Sequence, residues 1–207
     1  MYIQKLISQG EHETLEFKFE VNDPRKIART LVAFANTKGG HLLVGVKDNG
    51  VITGVSTEEE YYMVESGAKL YSFPEIDFTT RVHNSNGKQV LEFIIEPSAN
   101  KPHAVIATDK TKETYIRVKD ENVVAHPLWV KAHQQMKHEN NIKYTNKHNE
   151  LLSILSKKGA QTIEFIMKEL FISQKETEKI LTELFITSLI NIITTTSGTV
   201  FSSKNSN

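Results

Sequence analysis

Alternation of apolar and polar positions marks the first element. From Thr14 to Glu20, Leu15, Phe17 and Phe19 alternate with Glu16, Lys18 and Glu20, which predicts a half-buried strand. The period then becomes helical: Asp23 can cap free amides, Pro24 suits the first helical position, and Ile27, Leu31, Phe34 and Ala35 recur on one face. Asn36 to Gly40 ends this helix, with Gly39 and Gly40 expected to supply positive φ. The apolar run His41 to Val46 predicts a buried strand, and Asn49-Gly50 a tight turn before Val51 to Val55. Residues 57 to 73 read as a helix opened by consecutive glutamates, and strands near 76–83 and 88–96 meet at Asn86-Gly87. A short strand ends the loop Pro97 to Ala107, and Glu113 to Val118 reads as another.

Residues 126–148 turn polar and basic, which predicts a linker, part of it helical. Beyond it the pattern is helical again. Leu151, Leu152, Ile154 and Leu155 mark one helix, Ile163, Ile166, Met167 and Leu170 a second, and Ile180, Leu181 and Leu184 a third capped by Ser173. Two β-rich stretches, Ile190 to Thr194 and Thr199 to Ser202, flank a Thr-Ser-Gly turn. Three helices closed by a hairpin predict a winged helix-turn-helix. The expected organisation is an α/β (α+β) domain with a mixed sheet over residues 1–125, a linker over 126–148, and a winged helix over 149–207.

Composition adds little beyond class. The 207 residues, 39% hydrophobic and 24% charged, suit one large or two small globular domains. No apolar run reaches the length of a membrane span and the start lacks a secretory pattern, so the expectation is a cytoplasmic protein with no membrane partner. The absence of cysteine excludes disulfides, thiolate zinc sites and cysteine nucleophiles. Charge is balanced, 25 basic against 25 acidic. Residues 1–125 carry 15 basic and 18 acidic side chains and residues 126–207 carry 10 and 7, with six lysines between 131 and 158. No Walker-type phosphate motif is present, because neither Gly39-Gly40 nor Gly87-Lys88 continues as that loop requires.

Several blocks occur in a specific order: Gly10-Glu11-His12-Glu13-Thr14-Leu15-Glu16-Phe17-Lys18, then Val32-Ala33-Phe34-Ala35-Asn36-Thr37-Lys38-Gly39-Gly40, then Leu43-Val44-Gly45-Val46. Asp48-Asn49-Gly50, Ile52-Thr53-Gly54-Val55, Lys101-Pro102-His103 and Tyr115-Ile116-Arg117-Val118 follow. Together they resemble the Schlafen-type AlbA-like domain over residues 5 to 125. The resemblance implies an α/β domain described as DNA-binding, and sometimes as divergent ATP-binding, that in bacterial relatives commonly precedes a helix-turn-helix.

Some members of that family are metal-dependent RNases, which implies an alternative reading as a nuclease using Mg²⁺ or Mn²⁺. Glu11 and Glu16 match two acids of the family's triad, but the third position aligns with Lys47. Asp48 is one step further along a strand and is expected on the opposite face. The favoured reading is that no catalysis occurs, with no cofactor and no metal, and that Glu11, Glu13 and Glu16 are solvated or pair with Lys18.

For binding, Arg25, Lys26 and Arg29 are expected on the outer face of the first helix, joined by Lys18, Lys38, Lys101 and Arg117. His103 is a candidate phosphate contact whose bland alternative is an ordinary surface histidine. In the winged helix, Gln174, Lys175 and Thr177 sit where base edges are read, though Glu176, Glu178 and Glu183 oppose phosphate contact. His126, His133, His138 and His148 fit no standard zinc spacing. The expectation is therefore a DNA- or RNA-binding transcriptional regulator acting as a homodimer, with a protein-interaction adaptor as the further alternative.

Overall fold

A computed structural model of the chain describes residues 2–55, 58–137, 142–195 and 198–204. The chain divides into two compact units, Met1–Val124 and Ala125–Asn207. The first holds α1 (Tyr2–Ile7), β1 (Leu15–Lys18), α2 (Pro24–Asn36), β2 (Gly40–Val44), α3 (Glu59–Lys69), β3 (Ser72–Phe73), β4 (Thr79–Ser85), β5 (Lys88–Ile95), β6 (Ala104–Ile106), β7 (Lys112–Glu113), β8 (Tyr115–Val118) and β9 (Glu121–Val124). Its main sheet is mixed, in the order β1-β2-β5-β4, with β1 parallel to β2 and the other pairs antiparallel. A small sheet β3-β6-β7 and the ribbon β8-β9 complete the unit.

The helix α2 starts where its sequence says. The Asp23 carboxylate accepts from the amides of Arg25 at 2.9 Å and Lys26 at 3.4 Å, and Pro24 occupies the first turn. Every residue from Thr30 to Asn36 is buried, so only the first two turns can present side chains outward. Leu31, Val32 and Phe34 pack with Leu42, Val44, Leu91, Phe93 and Ile95 of the sheet. The opposite sheet face carries Leu15, Phe17, Leu43 and Val90 against Ile3 of α1, a helix too short to show a period. Glu92, fully buried, accepts hydrogen bonds from Tyr2, His41 and His83. Burial penalises its charge, but these donors outweigh the penalty and hold its carboxyl below the usual range.

Several local expectations are corrected by tertiary pairing. β1 is covered on both faces, so Glu16 is buried while Phe19 is exposed. Gly39 has the expected φ of +76°, but Gly40 does not; there a side chain would meet the Phe34 ring at 2.7 Å. The helix expected to reach 73 ends at Lys69 because Ser72 and Phe73 pair with Val105 and Ala104. Glu113 to Val118 divides between two sheets, β7 pairing with β6 and β8 with β9.

The second unit holds α4 (Pro127–Gln135), α5 (Asn146–Lys158), α6 (Ile163–Leu170), α7 (Gln174–Ile186) and the antiparallel hairpin β10 (Ile190–Thr195) and β11 (Gly198–Ser203). Its core gathers Leu151, Leu155, Ile166, Leu170, Leu181, Leu184 and Phe201. Leu128 of α4 belongs to that core, so the start of the stretch read as a linker is a packed element. Leu128, Trp129 and Ala132 recur at helical spacing, too sparsely among polar neighbours to declare it. His126 caps α4 by accepting from the Leu128 amide at 3.2 Å, and Ser173 caps α7 through the Glu176 amide at 3.3 Å. The turn residues Thr196 and Ser197 of the expected wing lie outside the described residues.

Candidate functional site

The carboxylates singled out from the sequence sit where β1 faces β8. Arg117, only 3% exposed, donates to Glu16 at 2.5 Å, to Asn122 at 2.9 Å and to the His12 carbonyl at 3.3 Å, and lies over the Phe34 ring. The other Glu16 oxygen accepts from Lys18. Glu11 accepts from the Phe17 amide at 2.8 Å; burial pushes its carboxyl up, and the neighbouring charges of Glu16 and Asp48 add to that push. β2 ends at Val44 and Lys47 opens a turn closed by the Gly50 amide, so Asp48 lies in a turn and not on a strand. Lys47 lies over the exposed Phe19 ring.

This corner does not fit a divalent ion. Both Glu16 oxygens are engaged by cations and Glu11 by a backbone amide. Among the described residues no three His, Asp or Glu side chains are placed to hold a metal ion. Arg117, expected as a phosphate contact, is instead a buried structural cation, and Lys18 is tied to Glu16 and to the Phe17 carbonyl.

The exposed start of α2 presents a different surface. Arg25, Lys26 and Arg29 are all exposed, with the Arg25 guanidinium over the Tyr71 ring at 4.6 Å and the Arg29 guanidinium over Tyr115 at 5.5 Å. Ser72 points inward, donating to the Gly67 carbonyl, while Phe73 beside it is exposed and Tyr71 is half-buried against the core. Lys112 places its ammonium 3.3 Å from the centre of the Phe73 ring. None of these four cations has a carboxylate partner among the described residues, in contrast to Lys18, Lys38, Lys69 and Arg117. The Tyr115 hydroxyl donates to Glu113; burial first, then this bond, pushes its pKa up to about 12. Tyr71, Phe73, Lys112 and Tyr115 were not found from the sequence, where the only local sign was a cluster of aromatics beside a proline.

Other candidates separate from this surface. Lys38 is exposed but pairs with Glu13 at 2.8 Å. Lys101 donates to the Thr37 carbonyl at 3.1 Å, and burial pulls its pKa down. His103 is 2% exposed, neither a phosphate contact nor an ordinary surface residue, and its ring bonds the Pro74 carbonyl and the Ser98 hydroxyl. Its backbone is held by the buried Asn36 amide, which also donates to the Tyr115 carbonyl at 2.8 Å. That triple use explains the Asn36 position without chemistry.

In the second unit, Gln174 and Lys175 are exposed at the start of α7, Gln174 donating to Glu178 at 2.8 Å. Thr177 is fully buried and donates back to the Ser173 carbonyl, so it cannot read a base edge. His126 caps α4, His133 stacks on Trp129 with ring centres 3.8 Å apart, and His148 is buried against Glu183; His138 lies outside the described residues.

The family model described as Schlafen, AlbA_2 matches residues 11–126. No curated protein matches the chain. Among solved structures, the chain is similar to the DIP2311 protein from Corynebacterium diphtheriae, at 18% identity and a TM-score of 0.47, over 94% of this chain and 34% of that one. It thus spans about a third of that protein's length. It is also similar to the N-terminal domain of a RecG-related protein from Nitrosomonas europaea, at 15% identity and a TM-score of 0.42, over 69% of this chain and 98% of that domain. No helix among the described residues is long and apolar enough to cross a membrane.

Proposed function

The chain belongs to the Schlafen AlbA_2 family, and from that premise we propose that it binds nucleic acid through the exposed start of α2, as a regulator acting without catalysis. The observation that carries this reading is the set Arg25, Lys26, Arg29 and Lys112, unpaired with any carboxylate among the described residues and interleaved with Tyr71, Tyr115 and Phe73. A guanidinium held over a tyrosine ring by cation–π attraction, without a carboxylate partner, keeps N–H donors for phosphate oxygens. Net neutrality of the chain is no obstacle, because local rather than summed charge meets the backbone.

The second unit, read as a winged helix, gives the reading its sequence-selective part. Gln174 and Lys175 at the start of α7 stand where such a helix meets base edges. Action as a homodimer in the cytoplasm belongs to the same proposal.

An electrophoretic titration with duplex DNA, single-stranded DNA and structured RNA, with and without Mn²⁺, is the test. Binding without metal-dependent loss of the probe is expected. Cleavage in Mn²⁺ that Glu11→Gln abolishes, with the fold retained by circular dichroism, establishes the nuclease alternative instead. No binding to any probe at low salt removes the nucleic-acid reading and leaves the adaptor.

A further inference from the structure

The three-stranded sheet β3-β6-β7 turns an unusual side outward. Phe73 is 54% exposed, with the Lys112 ammonium over its ring, and Tyr71, half-buried two residues before it, lies under Arg25. An exposed ring on a two-residue strand contributes little to the core, which Phe73 does not join although its neighbours Tyr71 and Tyr115 do. What this stretch does carry is one exposed ring beside an ammonium, with a guanidinium over the neighbouring tyrosine, the combination that holds unpaired bases by stacking while its charges follow the backbone. In a duplex the bases are already stacked inside and present only their edges in the grooves. A single exposed ring therefore gains nothing from duplex beyond what the cations supply.

We infer that Phe73 is a stacking platform for an unpaired base and that the ligand of the Arg25–Arg29–Lys112 surface is single-stranded nucleic acid. This rests on the nucleic-acid reading of the same surface and narrows it. Lys112 shifts from the ring to a phosphate when the base arrives, since its contact with Phe73 is an exposed one. Arg25 and Arg29, a helical turn apart, grip the backbone on the side of Tyr71 and Tyr115.

The test titrates the full chain with three fluorescently labelled probes of equal length: a mixed-sequence single strand, the same strand with every base removed, and the corresponding duplex. The intact single strand is expected to bind about 5- to 140-fold more tightly than the abasic one, the range that one stacked base contributes. Phe73→Leu should erase that difference, and Lys112→Ala should weaken both strands alike. Equal affinity for intact and abasic strands, or tighter binding of duplex, overturns the stacking platform while leaving nucleic-acid binding in place. Failure of all three probes at low salt overturns the binding reading itself. If Phe73→Leu unfolds, as judged by circular dichroism, Phe73→Tyr serves in its place and should retain the preference for intact over abasic strand; loss of that preference counts against the platform.

Discussion

Arg117 and Glu16, 101 residues apart in the chain, meet as a buried ion pair that fastens β8 to β1. The guanidinium also reaches Asn122 and the His12 carbonyl, so a single side chain ties the end of the first unit to its beginning. Its Nε has no partner among the described residues, which leaves the pair dependent on the Glu16 carboxylate. Family-matching residues at both positions therefore have a structural role sufficient to explain them.

Removing one member of this pair strands a buried charge, and such losses run to about 3–5 kcal/mol. Glu16→Ala is expected to destabilise the first unit by that amount, read as a lowered urea midpoint by circular dichroism. Replacing both residues with apolar ones, Glu16→Leu with Arg117→Met, should recover most of the loss. A single-variant loss below about 1 kcal/mol would show that water reaches the pair.

Much of this was legible in the sequence and some was not, for identifiable reasons. The caps of α2 and α7 and the Asn86-Gly87 turn are local chemistry, so Asp23, Pro24 and Ser173 announced them directly. Arg25, Lys26 and Arg29 could be placed on one exposed face because a helix converts spacing into direction. Arg117 and His103 read as surface groups because their partners lie far away in sequence. Phe73 and Lys112 come from strands of two residues each, too short for any period to show that they face the same way.

The cap of α4 makes the second unit sensitive to acid. His126 accepts the Leu128 amide on its ring nitrogen, and burial pulls its pKa below the usual histidine value of 6.5. Below that value the unfolded chain takes a proton that the folded one refuses, so stability should fall as pH drops from about 7 towards 5. His126→Asn, a cap that does not titrate, should flatten the dependence. Trp129 is the one tryptophan, buried three residues away, and its fluorescence during urea unfolding at several pH values reads the effect.

Phe171 ends α6 in the left-handed conformation, φ 52° and ψ 44°, while its side chain is 93% exposed. A residue with a Cβ is disfavoured there by about 1 kcal/mol, and an exposed ring returns little packing. Phe171→Gly should raise the stability of the second unit by about 0.5–1 kcal/mol in the same tryptophan assay. A drop in stability instead would mean that the ring is covered in solution, as in self-association, and sedimentation would reveal it.

The basic start of α2 makes a quantitative prediction about salt. Each phosphate neutralised releases condensed counterion, so the logarithm of affinity should fall with that of salt by about 0.9 per phosphate on duplex and about 0.7 on single strands. Arg25, Lys26 and Arg29 are exposed and unpaired with carboxylates among the described residues, so replacing all three with alanine should weaken binding to every sequence and reduce the slope by one such increment for each phosphate no longer neutralised. Lys38→Ala is the control: Lys38 is equally exposed, but its ammonium is held by Glu13 at 2.8 Å, so the slope should scarcely change. Gln174 and Lys175, replaced together, should erode discrimination between sequences more than the slope, because base edges rather than phosphates are their expected partners. Isotherms measured across a series of salt concentrations separate these outcomes. A slope unchanged in the triple variant places the binding surface elsewhere on the chain.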